Sequence, residues 1–76
     1  MIPNDALINA VRRLKFHYKG ETDRVLLYKK AGSTDRIAIR RLTLHDDNAA
    51  RKILRDAGMS EEEIERFIAN YKCEEH

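Results

Sequence analysis

HDDNAARKILRDAGMSEEEIERFIANY, residues 45–71, is the stretch on which the fold turns, and it reads as two helices meeting at a tight corner. Ala50, Ile53, Leu54 and Ala57 recur at the spacing of one helical face, and Ile64, Phe67, Ile68 and Tyr71 repeat the pattern after the corner. Gly58 stands where the first helix needs a residue that tolerates positive φ. Ser60 followed by Glu63 has the form of a capping box, in which the hydroxyl meets the N3 amide and the carboxylate reaches back. Met59 and Ile64 then occupy the two positions of a hydrophobic staple. A cap of this kind is worth about 1 kcal/mol, a useful fraction of the stability of a small domain. Either Asp46 or Asp47 is placed to cap the first of these two helices. These signals specify structure and carry no chemistry.

Upstream, a helix is predicted to begin at Asn4 or Asp5, with Pro3 tolerated at its entry. Leu7, Ala10, Val11 and Leu14 form its apolar stripe, and Arg12 and Arg13 lie off that stripe. The period then changes to two. Leu14, Phe16 and Tyr18 alternate with Lys15, His17 and Lys19, which predicts a short strand over residues 15–19 ending at Gly20; continuation of the helix to Phe16 is the competing reading. After the polar turn GETD comes RVLLYKK, rich in strand formers. AGSTD, residues 31–35, then reads as a hairpin loop in which Gly32 takes positive φ. RIAIRRLTL, residues 36–44, is the last strand. Ile37 and Ile39 share one face of it and Leu42 and Leu44 the other, so a bulge or bend is expected near Arg40 and Arg41. The fold class is α+β: a small antiparallel sheet of two or three strands with helices on one face, in the order αβββαα, or αββαα if residues 15–19 are not a strand.

The 76 residues make a single domain, 1–76, without repeats, low-complexity segments or an internal linker. The lone cysteine, Cys73, cannot form an internal disulfide, so stability must come from burial. No apolar run approaches the roughly 20 residues of a membrane span, and the N-terminus lacks the basic and apolar regions of a signal peptide. A cytoplasmic protein is expected. Charge is unevenly placed: residues 1–45 carry ten Lys and Arg against four Asp and Glu, a net of +6, and residues 46–76 carry five against nine, a net of −4. Such asymmetry bears on partners rather than on fold.

With Phe16, Val25, Leu27, Ile37 and Ile39 turned toward the helices, the opposite sheet face collects Lys15, His17, Lys19, Arg24, Tyr28, Lys30, Arg36 and Arg40. Clustered cations gain affinity for nucleic acid by releasing condensed counterions, and an exposed Tyr28 among them would stack on an unpaired base. The competing explanation is a solvated face whose charges discourage edge-to-edge aggregation. No metal is expected: His45, Asp46 and Asp47 are adjacent in sequence, and adjacent residues rarely converge on one ion. No cofactor motif is present. His17 and His45 lack an accompanying nucleophile or paired carboxylate and read as surface histidines.

The element order αβββα followed by ILRDAGMSEEEIERF, residues 53–67, resembles the small HicA-type toxins, which have a double-stranded-RNA-binding-like fold and close on a similar helix–AGLS–helix stretch. The resemblance implies that fold and, in the family, ribonuclease activity. Those enzymes carry a histidine after a glycine at the start of the second strand, commonly GSH, where this chain reads GETDR at residues 20–24. The general base that the family would supply therefore has no counterpart here, and the role does not transfer to His17. Double-stranded-RNA-binding domains also place lysines at the start of the helix after the sheet, where this chain has Asp46 and Asp47.

The residues thus predict a non-catalytic nucleic-acid-binding or regulatory module, with RNA favoured over duplex DNA. Arg12, Arg13, Lys15, Lys19, Lys30, Arg36 and Arg40 would meet phosphates and Tyr28 would provide the stacking surface. A protein-interaction adaptor or homodimer, using a sheet edge or the acidic C-terminal helix, is the second reading. A diverged HicA-like ribonuclease is the third.

Overall fold

The structure is a computed structural model that describes residues 1–72; Cys73 lies outside the described residues. The elements in chain order are β1 (Ile2–Pro3), α1 (Asn4–Arg13), β2 (Phe16–Glu21), β3 (Val25–Lys30), β4 (Arg36–Arg40), β5 (Leu44–His45), α2 (Asp47–Asp56) and α3 (Glu61–Lys72). The architecture is α+β, with β2, β3 and β4 forming an antiparallel meander in that order and β1 pairing with β5. One core joins the layers. Phe16, Tyr28, Ile37 and Ile39 from the sheet are buried with Leu7, Ala10 and Val11 of α1, Ala50 and Leu54 of α2, and Ile64 and Ile68 of α3. A fully buried aliphatic or aromatic side chain of this kind contributes about 1.5–3 kcal/mol, so burial alone can hold a domain without disulfides.

The helical corner forms as its sequence dictates. Asp46 Oδ1 accepts from the Ala49 amide at 2.7 Å and so caps α2. Gly58 follows the helix with φ 98°. The Ser60 amide donates to Glu63 Oε1 at 3.3 Å and the Glu63 amide donates to Ser60 Oγ at 3.2 Å, which completes the reciprocal box.

The N-terminus departs from expectation. Pro3, and neither Asn4 nor Asp5, occupies the cap position of α1, and it makes no side-chain cap hydrogen bond. Instead the Asn4 backbone amide donates to the Thr43 carbonyl at 2.9 Å, as an extension of the β1–β5 ladder, in which Ile2 faces His45. Two-residue strands like these leave no periodicity to read in a sequence. The predicted long strand over residues 36–44 bends as expected beyond Arg40, and the bend is wide enough to make Leu44 and His45 a separate strand. The first strand of the meander runs later than predicted, over Phe16–Glu21, because Lys15 has φ 77° and closes α1 rather than opening β2.

Candidate functional site

Cross-strand register decides which side chains share the face turned away from the helices. In β3 and β4, Val25 lies opposite Arg40, Leu26 opposite Ile39, Leu27 opposite Ala38, Tyr28 opposite Ile37, and Lys29 opposite Arg36. Directly opposed residues point to the same side of an antiparallel sheet. Since Ile37 and Ile39 are buried, Tyr28 and Leu26 face the helices with them. Val25, Leu27 and Lys29 therefore face outward.

This register corrects the assignments of Tyr28, Lys30, Val25 and Leu27. Tyr28 is only 6% exposed, packed edge-on against Tyr18 with ring centroids 5.9 Å apart, so it offers no platform for a base. Lys30 lies opposite Phe16 and so falls on the helix-facing side. Val25 and Leu27, expected in the core, stand on the outer face instead. Lys15 precedes the sheet in a left-handed turn, and its carbonyl accepts from the Ala31 amide at 3.2 Å. Lys19 is exposed and sits at the register shift between Tyr18 and Gly20, a bulge that takes it out of regular pairing.

What remains on the outer face is ordered. His17, Lys29 and Arg36 are consecutive cross-strand neighbours and form one row across the three strands. Gly20, Leu27 and Ala38 form a low apolar row in the middle, and Val25 with Arg40 forms the last row. Arg36 and Arg40 are four residues apart, about 13 Å at the usual rise of a strand. Arg12 and Arg13, on the last turn of α1, line a shallow depression with Asn9 and His17, and so extend the first row past the sheet. At the other end Arg24, Val25 and Arg40 line a second depression with Asp23, Arg41 and Leu42. The sequence pattern misses Lys29, because turning Val25 and Leu27 inward turns Lys29 inward with them.

The electrostatic state of these groups separates them from the other cations. Among the described residues, Arg12, Arg13, Lys15, Lys19, Arg24, Lys29, Lys30, Arg36 and Arg40 make no ion pair. Arg41, by contrast, is held by Glu21 Oε2 at 2.8 Å, and Arg51, Lys52, Arg55 and Arg66 pair with Glu65, Asp56, Glu61 and Glu62. The Tyr18 hydroxyl donates to Glu21 Oε1 at 2.7 Å, and that hydrogen bond holds the phenol above its ordinary pKa.

His45 proves to be buried, at 1% exposure, and not a surface histidine. Its Nε2 lies 2.8 Å from Asn4 Oδ1, and because an amide oxygen only accepts, the ring proton resides on Nε2. Burial pushes its pKa below the usual 6.5; Arg40 acts in the same direction and Asp46 opposes it. The ring is thus a structural pin between the N-terminal segment and β5. Among the described residues no group of three or more His, Cys, Asp or Glu could hold a metal ion, and no helix is long and apolar enough to cross a membrane. Comparison with protein-family models, curated proteins and solved structures finds no match to this chain.

Proposed function

We propose that this protein is a non-catalytic nucleic-acid-binding module that grips the phosphates of RNA with the outer face of its sheet. The observation that carries this reading is the partition of cations. Apart from Arg41, which Glu21 holds, those at the sheet and the end of α1 have no carboxylate partner among the described residues, whereas most of those on α2 and α3 are paired. Unpaired clustered cations repel one another, and an external polyanion relieves that repulsion while releasing its counterions. Arg12, Arg13, His17, Lys29, Arg36 and Arg40 are the phosphate-binding residues of this reading, with Arg24 and Lys19 at its margins.

With Tyr28 in the core, that face keeps no tyrosine or phenylalanine among the described residues and only the small ring of His17, so recognition rests mainly on the backbone and tolerates sequence. A face made of three strands offers no helix to enter the major groove of B-form DNA. Splayed single strands, or the wide and shallow minor groove of structured RNA, suit such a surface better.

The test is a titration of RNA oligonucleotides, single-stranded and hairpin, across a series of salt concentrations, with duplex DNA alongside. Affinity is expected to fall steeply with salt. Replacing both Arg36 and Arg40 by Ala should flatten the logarithmic slope by roughly 0.7–0.9 for each phosphate that is no longer neutralised. No binding at roughly 50 mM salt, where such affinities are high, or an unchanged slope in the double variant, overturns the proposal.

A further inference from the structure

The meander has two edges, and they are not equivalent. The outer edge of β2 is interrupted by the register shift after Tyr18, which spoils it as a template for another strand. The edge of β4 has no such interruption. Its backbone directions follow from two bonds: the Arg41 amide donates to the Arg24 carbonyl at 2.9 Å, and the Lys30 amide donates to the Asp35 carbonyl at 3.1 Å. Antiparallel ladders alternate, so Ile37 and Ile39 also turn their backbone groups toward β3. Arg36, Ala38 and Arg40 therefore turn theirs away from the sheet. The Arg40 carbonyl accepts from the Leu42 amide at 2.8 Å, while among the described residues the backbone groups of Arg36 and Ala38 make no bond outside the strand ladder. All three residues are exposed.

We propose that the β4 edge is a docking site for an extended acidic peptide, which adds to the sheet as a fourth strand. The main-chain bonds would come from Arg36, Ala38 and the Arg40 amide. Charge selects the occupant. A strand laid along β4 has side chains opposite Arg36, Ala38 and Arg40 on the outer face, so carboxylates four residues apart would meet the two guanidiniums. The methyl group of Ala38 leaves room for the residue between them. A second copy of this chain is a poor occupant, because antiparallel pairing centred on Ala38 sets each Arg36 against the Arg40 of the other copy, and like charges directly opposed are destabilising. Arg36 and Arg40 thus protect the edge from self-association and mark it for an acidic strand. This inference does not depend on nucleic-acid binding, although the same two arginines serve both.

The experiment uses a fluorescent seven-residue peptide of alternating valine and threonine with glutamates four positions apart, and its lysine counterpart. Fluorescence anisotropy should show the glutamate peptide binding about tenfold or more tightly than the lysine peptide, since two opposed pairs change from attraction to repulsion. Ala38→Pro removes an outward-facing amide without touching the β3–β4 ladder or any cation, and proline is tolerated at such edge positions. It should abolish peptide binding and leave RNA affinity unchanged. Should that variant fold poorly, amide exchange of the unmodified protein decides: on adding peptide the Ala38 amide should become protected, while that of Ile37 is protected throughout. Equal binding of both peptides, peptide binding that survives Ala38→Pro, or an Ala38 amide unaffected by bound peptide each overturns the proposal. The second result would make the peptide a generic polyanion on the face and leave the RNA reading standing. Self-association abolished by Ala38→Pro would overturn it in favour of a second copy.

Discussion

His45 shows how a single residue can matter for a reason its sequence neighbourhood conceals. Beside Asp46 and Asp47 it has the look of a solvent-facing group, yet as part of β5 it pairs with Ile2 of β1 and is only 1% exposed. Nothing local signals this, because the pairing partner, Ile2, lies at the far end of the sequence. The consequence for stability has a definite sign. The pKa is depressed in the folded state, so the unfolded chain binds more protons in the interval between the folded value and 6.5. The contribution of His45 is complete above 6.5 and is lost as pH falls through the depressed value. Urea unfolding should therefore show a midpoint that declines on acidification from about pH 7.5 to about pH 5. His45→Gln, which keeps a donor for Asn4 but cannot titrate, should have a lower midpoint near neutral pH and a flatter decline. A decline as steep as the parent's would assign the effect to other groups.

At the scale of elements, the helices are legible in the sequence and the faces of the middle strand are not. The corner between α2 and α3 carries its instructions locally, in Gly58, Ser60 and Glu63, and all three take the positions the sequence assigns. Ser60→Ala should accordingly cost about 1 kcal/mol in chemical denaturation, with the far-ultraviolet circular dichroism of the folded protein unchanged; a loss below a few tenths would mean the box adds little. For β3 the instruction is one residue of loop length. Reading AGSTD as a five-residue loop pairs Leu27 with Ile39 and turns Val25 and Leu27 inward. In the fold Asp35 joins the ladder through its carbonyl, and the loop shortens to residues 31–34. Every pair shifts by one, which sends Tyr28 into the core and Lys29 to the surface. The VLLY run is apolar at every position, so its own pattern cannot choose between the registers. The clear alternation of β4 fixes only its own faces, and Arg36 and Arg40 are placed correctly for that reason.

Across the whole molecule the charges divide into two populations that a net figure of +2 hides. On the helical layer, Arg51 grips both oxygens of Glu65 at 2.8 and 3.1 Å, and Arg55 grips both of Glu61 at 2.6 and 3.0 Å. The hydrogen bonds from Arg55 hold the Glu61 carboxyl below its ordinary range. Exposed pairs of this kind add little to stability, but each presents a nearly neutral surface to a distant ligand. Among the described residues the cations of the sheet face lack such compensation. At physiological ionic strength the screening length is about 8 Å, so charges a protein layer away contribute weakly to binding on the far side. Arg51→Gln combined with Arg55→Gln should therefore leave the salt slope of RNA binding within about half a unit of the parent, although it removes as many positive charges as the Arg36 and Arg40 double variant. The comparison is made at equal net charge, in one oligonucleotide and one buffer series. If both double variants flatten the slope alike, affinity follows total charge and no particular face is responsible; if only the sheet variant does, the phosphates lie on the outer surface of β2, β3 and β4.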